Sequence, residues 1–400
     1  MPSKNPRIIL YSHDTMGLGH IRRNLLIAQV LAASSLQPNI LLVSGAWEAG
    51  SFVMPYGVDS LILPAWYKKL DGTYRARRLK ISLEDFTALR EKIICSAVKA
   101  FKPDVFIVDN VPRGCSHELD AALEFLHYRK GVHCVLGLRD ILDEDRVVHR
   151  QWRKHHNLEA IRRYYDAVWV YGDPLVFDVV KEYEFPADVA GKIRYTGYMD
   201  QRVRLNFAKR QGTSLPCSDL GIGAGRFALC LVGGGQDGYP LAEAFSRASF
   251  PKGVKGVLVT GPHMESKARQ RLLALAAQKP HHTLRIFEFI PEPACLMQQA
   301  DCVIAMCGYN TVSEILSFGR RTLIVPRVKP RKEQLIRCQH FKSLGVLDAL
   351  YPDELSPKKL SSWIAKNINQ PPRDFHSLID MKGLARVTEF VKELLSRKPR

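Results

Sequence analysis

The chain has 400 residues, 46% hydrophobic and 24% charged, an ordinary globular balance in a length that exceeds what one core usually holds, so two domains are expected. A formal net charge of +18 calls for an anionic partner: nucleic acid, a phosphorylated substrate or an acidic membrane face. The chain has no apolar run of the roughly 18 residues that span a bilayer, no secretory signal at its start and no CxxC pair among its nine cysteines, which argues for a cytoplasmic protein with reduced core cysteines.

In chain order, apolar runs alternate with helix-like stretches. "RIILYS", "NILLVSG", "DSLILP", "PDVFIVD", "HCVLGLRD", "AVWVYG" and "KIRYTG" read as strands of a first domain over residues 1–200. The polar, glycine-rich stretch 201–225 reads as a linker. The alternation restarts with "FALCLVGGG", "VKGVLVTG", "TLRIFEFI", "DCVIAMCG" and "RTLIVP" in a second domain over 226–375. Residues 376–400 close the chain with an amphipathic helix and a basic tail, expected to pack back on the first domain. Such alternation predicts an α/β fold of two Rossmann-like domains facing across a cleft lined by strand ends.

Four strand-end loops are candidate sites. In "MGLGHIRR", Gly17 and Gly19 let backbone amides approach a ligand, and the helix starting near His20 suits an anion. A plain turn satisfies the same residues. His20 is either a hydrogen-bonded structural histidine or a base for a hydroxyl proton, and Arg22 or Arg23 either meets a phosphate or lies on a solvated face. In "LVGGGQDG", the amides of Gly233, Gly234 and Gly235 with Gln236 can wrap a diphosphate. In "CGYNTVSEIL", Gly308 frees backbone, Asn310 and Thr311 start a helix, and Glu314 either accepts both hydroxyls of a ribose or complements the helix dipole. In "VPRVKPRKEQ", Glu333 and Gln334 can bond sugar hydroxyls, with Arg327 and its basic neighbours near phosphate or simply solvated.

Two weaker signals remain. "DEDR" at Asp143 to Arg146 contains an Asp-x-Asp, read as a loop and not as a metal site. "PAWYKKLDGTYRARRLK", residues 64–80, interleaves Trp66, Tyr67 and Tyr74 with cations, and suits either an anionic membrane surface or a solvated loop with its aromatics in the core. No helix-turn-helix, zinc-finger or RNP signature is present, so specific nucleic-acid binding is not expected.

Taken together, these motifs resemble GT-B fold glycosyltransferases, above all the family 28-like branch that includes the N-acetylglucosaminyltransferase of peptidoglycan lipid-intermediate synthesis. "GGGQDG", "EFIPEPACLMQQADCVIAMCGYNTVSEIL" and "RKEQ" carry the resemblance within residues 231–340, and "MGLGH" is similar to the first-domain loop. The resemblance implies an inverting enzyme, free of bound metal and cofactor, that uses a nucleotide-diphosphate sugar, a UDP-sugar above all, as substrate. It places the Ile290 backbone on uracil, Glu314 on ribose, the 233–238 loop and the 308–311 helix start on the diphosphate, and Glu333 and Gln334 on the donor sugar. It sets His20 near the acceptor oxygen. The proton is then taken by His20 or by a nearby carboxylate such as Asp109. "GHIRRNLLIA" is also similar to predicted glycosyltransferases and to a nucleotide-sugar hydrolase, so the acceptor stays open among a polysaccharide, a lipid-linked hydroxyl at the inner membrane face, and water. Epimerisation of the same donor, and a non-catalytic anion- or nucleic-acid-binding protein, are the alternative readings.

Overall fold

The computed structural model describes residues 5–13, 19–47, 52–68, 73–210, 220–222, 225–280, 283–290, 292–375 and 377–397. Gly17 lies outside the described residues. The chain divides into two compact units, Met1–Tyr198 with Lys382–Arg400, and Met199–Met381.

Unit 1 contains β1 (Arg7–Tyr11), β2 (Asn39–Ser44), β3 (Val58–Ile62), β4 (Trp66–Lys68), β5 (Tyr74–Ala76), β6 (Val105–Asp109), β7 (His133–Arg139), β8 (Ala167–Tyr171) and β9 (Ile193–Tyr195). Seven of these form a parallel sheet in the order β3-β2-β1-β6-β7-β8-β9. Runs such as "RIILY" and "VFIVD" are apolar almost throughout because both faces of a parallel sheet are covered; β6 and β8 are buried at every residue. The order reverses between β1 and β6. At such a switch point the two following connections leave on opposite faces and open a crevice at the strand ends. His20 follows β1, and Asp109 ends β6.

The short antiparallel pair β4–β5 is an element that periodicity missed. Trp66 is fully buried there and donates its Nε1–H to Glu118 Oε2 at 3.0 Å, while Arg90 donates to the same carboxylate through Nε at 2.5 Å and Nη2 at 2.8 Å. Trp66 is therefore a core residue, unavailable to a membrane. Tyr67 is exposed beneath Arg75, whose guanidinium lies 4.8 Å from the ring centre.

Unit 2 contains β10 (Arg226–Leu231), β11 (Val254–Val259), β12 (Leu284–Phe287), β13 (Cys302–Ala305), β14 (Arg321–Ile324) and β15 (Asp348–Ala349), a parallel sheet in the order β12-β11-β10-β13-β14-β15. Its switch point falls between β10 and β13, the strands that deliver "GGGQDG" and "CGYN". The core gathers residues such as Phe245, Leu258, Leu272, Ile304 and Ile364.

Two boundaries differ from the sequence reading. Residues read as part of a linker form the helix Arg202–Arg210, which packs in unit 2 against the helices Ala294–Gln299 and Tyr309–Phe318. Unit 2 also runs on to Met381. The closing helix Gly383–Ser396 lies in unit 1: Gly383 N–H donates to Tyr198 O at 3.0 Å, and Arg386 Nη1 donates to Thr196 O at 2.7 Å. A Cβ on Gly383 would stand 2.7 Å from the carbonyl oxygens of Gly197 and Tyr198, so only glycine permits this approach. Cys295 is disulfide-bonded, against the reading of all nine cysteines as reduced core residues.

Candidate active site

In unit 1, Gly19 is the first residue of the helix Gly19–Ala32, so His20 stands in its first turn. His20 Nδ1 lies 2.6 Å from Asp109 Oδ2. Arg23, one turn further, places Nη2 at 2.6 and 2.7 Å from the two oxygens of Asp109. Both Arg23 and Asp109 are buried, whereas the His20 side chain is 17% exposed. Burial alone would raise the Asp109 pKa; Arg23 and His20 overcome it and hold the carboxyl down at about 2. Asp109 is thus a permanent carboxylate, a poor proton acceptor near neutral pH. Its Oδ2 is placed to accept Nδ1–H of His20, a tautomer in which Nε2 carries the lone pair. Arg23 is committed to that carboxylate, and its guanidinium stands 5.4 Å from the centre of the Tyr171 ring. The sequence hid this partner, since a cation in a helix resembles a solvated face.

In unit 2, the loop after β10 turns through Gly233 at φ +62° and Gly235 at φ +93°. A Cβ on Gly235 would fall 2.2 Å from Thr260 O, so the loop is pressed against the connection after β11. His263 N–H donates to Gly234 O at 2.9 Å and braces the same contact. Gln236 is exposed beside it. Across the switch point, Gly308 caps the helix Tyr309–Phe318 with no capping side chain and no acidic residue in the first turn, which suits an anion at that end. Asn310 and Thr311 occupy that first turn. The Ile290 side chain is buried.

Glu314 shares its carboxylate with a partner that the sequence reading did not find. Glu314 is 5% exposed, and its Oε1 accepts from Arg204 Nη2 at 2.7 Å. The same Nη2 lies 3.0 Å from Glu292 Oε1. Glu333 starts the helix Glu333–Ser343; one oxygen is paired with Arg327, and Oε2 is buried with no partner among the described residues. A buried carboxylate oxygen left this way is costly unless a ligand completes it. Arg327 also reaches Asp237 of the glycine loop at 3.0 Å, so it is an internal strut between loops. Gln334 Oε1 accepts the backbone N–H of Cys307 at 3.1 Å and of Arg327 at 3.2 Å, tying the ends of β13 and β14 together. Only its amide NH2 is left for a sugar hydroxyl. Fully buried Arg337, which sequence reading missed, donates to Cys307 O at 2.9 Å. Among the described residues no cluster of three or more His, Cys, Asp or Glu side chains could hold a metal ion.

Two parallel α/β units, each with its candidate residues at a switch point, define a GT-B fold. Solved structures agree over nearly the whole chain. Acinetobacter baumannii MurG superposes with a TM-score of 0.56 at 12% identity, covering 97% of this chain and 99% of that one. The Neisseria meningitidis UDP-GlcNAc 2-epimerase bound to UDP-GlcNAc gives 0.61 at 13% identity, covering 97% and 98%. Residues 228–394 match the glycosyltransferase family 28 C-terminal domain, and in that stretch the chain is similar to family 28. Its curated relatives include the UDP-N-acetylglucosamine–N-acetylmuramyl-(pentapeptide) pyrophosphoryl-undecaprenol N-acetylglucosamine transferases of Sulfurihydrogenibium sp. (strain YO3AOP1) and Klebsiella pneumoniae subsp. pneumoniae. The first is 27% identical over 158 residues, 38% of this chain and 40% of its own length. The second is 27% identical over 165 residues, 40% of this chain and 43% of its own length. The chain thus spans less than half the length of the curated relatives it matches.

Proposed function

We propose that the protein transfers a sugar from a UDP-sugar to a hydroxyl acceptor, inverting the anomeric centre without a bound metal. The observation that carries this is the switch point of unit 2, where a glycine loop braced from behind and an uncapped helix N-terminus meet within a family 28 domain. Amides at both places would take the diphosphate and stabilise it as it leaves. Glu314 would accept the ribose hydroxyls, the Ile290 backbone would meet the uracil, and the unpartnered Oε2 of Glu333 with the Gln334 amide would hold the sugar. In unit 1, His20 Nε2 would take the acceptor proton while Asp109 fixes the ring. The curated relatives, transferases onto a pyrophosphoryl-undecaprenol, support a lipid-linked acceptor. The net charge of +18 suits work beside an anionic membrane face, and no described helix is long and apolar enough to cross a membrane.

The test is thermal unfolding with UDP, GDP, dTDP and ADP, on the parent chain and on Glu314→Gln. A diphosphate at a hundred times its Kd stabilises by about 2.7 kcal/mol, roughly 5–10 °C for a unit of this size. A shift for UDP that Glu314→Gln loses supports the reading. No shift with any of the four overturns it and favours charge-driven binding. Release of free sugar or an epimer from a UDP-sugar, with no transfer, would assign the fold to hydrolysis or epimerisation instead.

A further inference from the structure

Glu292 and Glu314 meet at one guanidinium nitrogen. Arg204 Nη2 is 2.7 Å from Glu314 Oε1 and 3.0 Å from Glu292 Oε1, and all of it lies in unit 2. Arg204 is 6% exposed, so little solvent screens the pairing. Its position is not left to the ion pairs alone. Gln201 N–H, at the start of the same segment, donates to Ser317 Oγ at 2.8 Å, and Ser317 Oγ donates to Ser313 O at 2.6 Å. These bonds tie the front of the helix Arg202–Arg210 to the helix that carries Glu314. Glu314 Oε2 takes no partner among the described residues, so one oxygen of the carboxylate is committed and the other is left for a ligand.

The Glu314 side chain is 6% exposed and that of Glu292 22%, and two carboxylates brought this close to each other call for a cation between them. Arg204 supplies it. Burial works against its own charge, and Glu292 and Glu314 together reverse that, leaving the guanidinium pKa above its ordinary value. Taking the ribose reading of Glu314 as its base, we propose that Arg204 is a positioning residue that fixes Glu314 for the ribose diol and so sets the preference for a ribonucleotide over a 2′-deoxyribonucleotide. Glu292 is its second anchor, which stops the guanidinium from swinging with Glu314.

The experiment is calorimetric titration of the full chain with UDP and with 2′-deoxy-UDP. The parent protein is expected to prefer UDP about tenfold or more, the size of one hydrogen bond to a charged group. Glu314→Gln and Arg204→Met should both bring that ratio to within about threefold of one, and Arg204→Lys should restore it in part. Should Arg204→Met strand its two carboxylates and fail to fold, the double variant Arg204→Met/Glu292→Gln removes the second charge and carries the same readout. A full preference kept by a folded Arg204→Met or double variant overturns the role of Arg204, because loss of stability alone does not change a ratio of affinities. A parent protein that does not distinguish the two nucleotides overturns the ribose reading of Glu314 itself, and the proposal with it.

Discussion

The pairing of Arg23 with Asp109 gives a quantity that requires no substrate to measure. Asp109 is held at about 2 where an ordinary side chain of its type stands at 3.8. That difference is worth roughly 2.4 kcal/mol. Because the folded-state value is the lower one, the contribution is complete above about pH 4 and is lost as pH falls through about 2. Arg23→Met leaves a buried carboxylate without its main partner, and Asp109→Asn takes the carboxylate away from a buried guanidinium; breaking such a pair costs about 3–5 kcal/mol. The double variant strands neither charge, so it should be far more stable than the two single costs added together predict. We expect a coupling energy of about 2–4 kcal/mol from the cycle. Urea unfolding at pH 7 followed by tryptophan fluorescence reads the right unit, since Trp47, Trp66, Trp152 and Trp169 belong to unit 1 and Trp363 alone to unit 2. A coupling below about 1 kcal/mol, the worth of an exposed pair, would refute the argument that this carboxylate is buried, ionised and held by Arg23.

His20→Gln should lower turnover of a UDP-sugar by roughly 10²–10⁴ while leaving UDP affinity unchanged, since the ring sits in unit 1 and acts on a proton; turnover equal to the parent's removes His20 from the mechanism. Gly235→Ala should destabilise unit 2 by about 1–3 kcal/mol or more and abolish the UDP shift, because it combines φ +93° with a contact at 2.2 Å to Thr260 O. Gly225→Ala, with nothing within 4 Å of the added carbon, is the control and should change unfolding by no more than about 0.5 kcal/mol.

The sheets were legible because buried parallel strands are written as unbroken apolar runs, and β1, β6, β8, β10 and β13 are that kind of run. The strand-end glycines of unit 2 were legible for the same reason, since Gly233 and Gly308 follow β10 and β13 within three residues. The β4–β5 pair was not, because three-residue strands carry no period to detect. Nor was the helix Arg202–Arg210: "RVRLNFAKR" is polar, and what it buries in Arg204 is a charge, paired with a residue 110 positions away. Arg23 and Asp109, 86 positions apart, were each visible as a candidate, yet nothing in either neighbourhood says that one neutralises the other. Periodicity reports which face is apolar. It is silent on long-range partners of opposite charge, and in each unit such a partner, Arg23 or Arg204, takes up carboxylate oxygens.

Because the helix Gly383–Ser396 belongs with Met1–Tyr198, unit 2 is threaded as an insertion inside unit 1. Synthesis from the amino terminus therefore delivers the molecule out of order. The contiguous stretch Met199–Met381 has every strand of its sheet, whereas the earlier-made unit must wait for the helix Gly383–Ser396 to cover Trp169 with Phe390, whose rings sit 5.7 Å apart. A chain cut before Gly383 would keep every strand of both sheets and yet bare apolar surface around Trp169, in the unit made first.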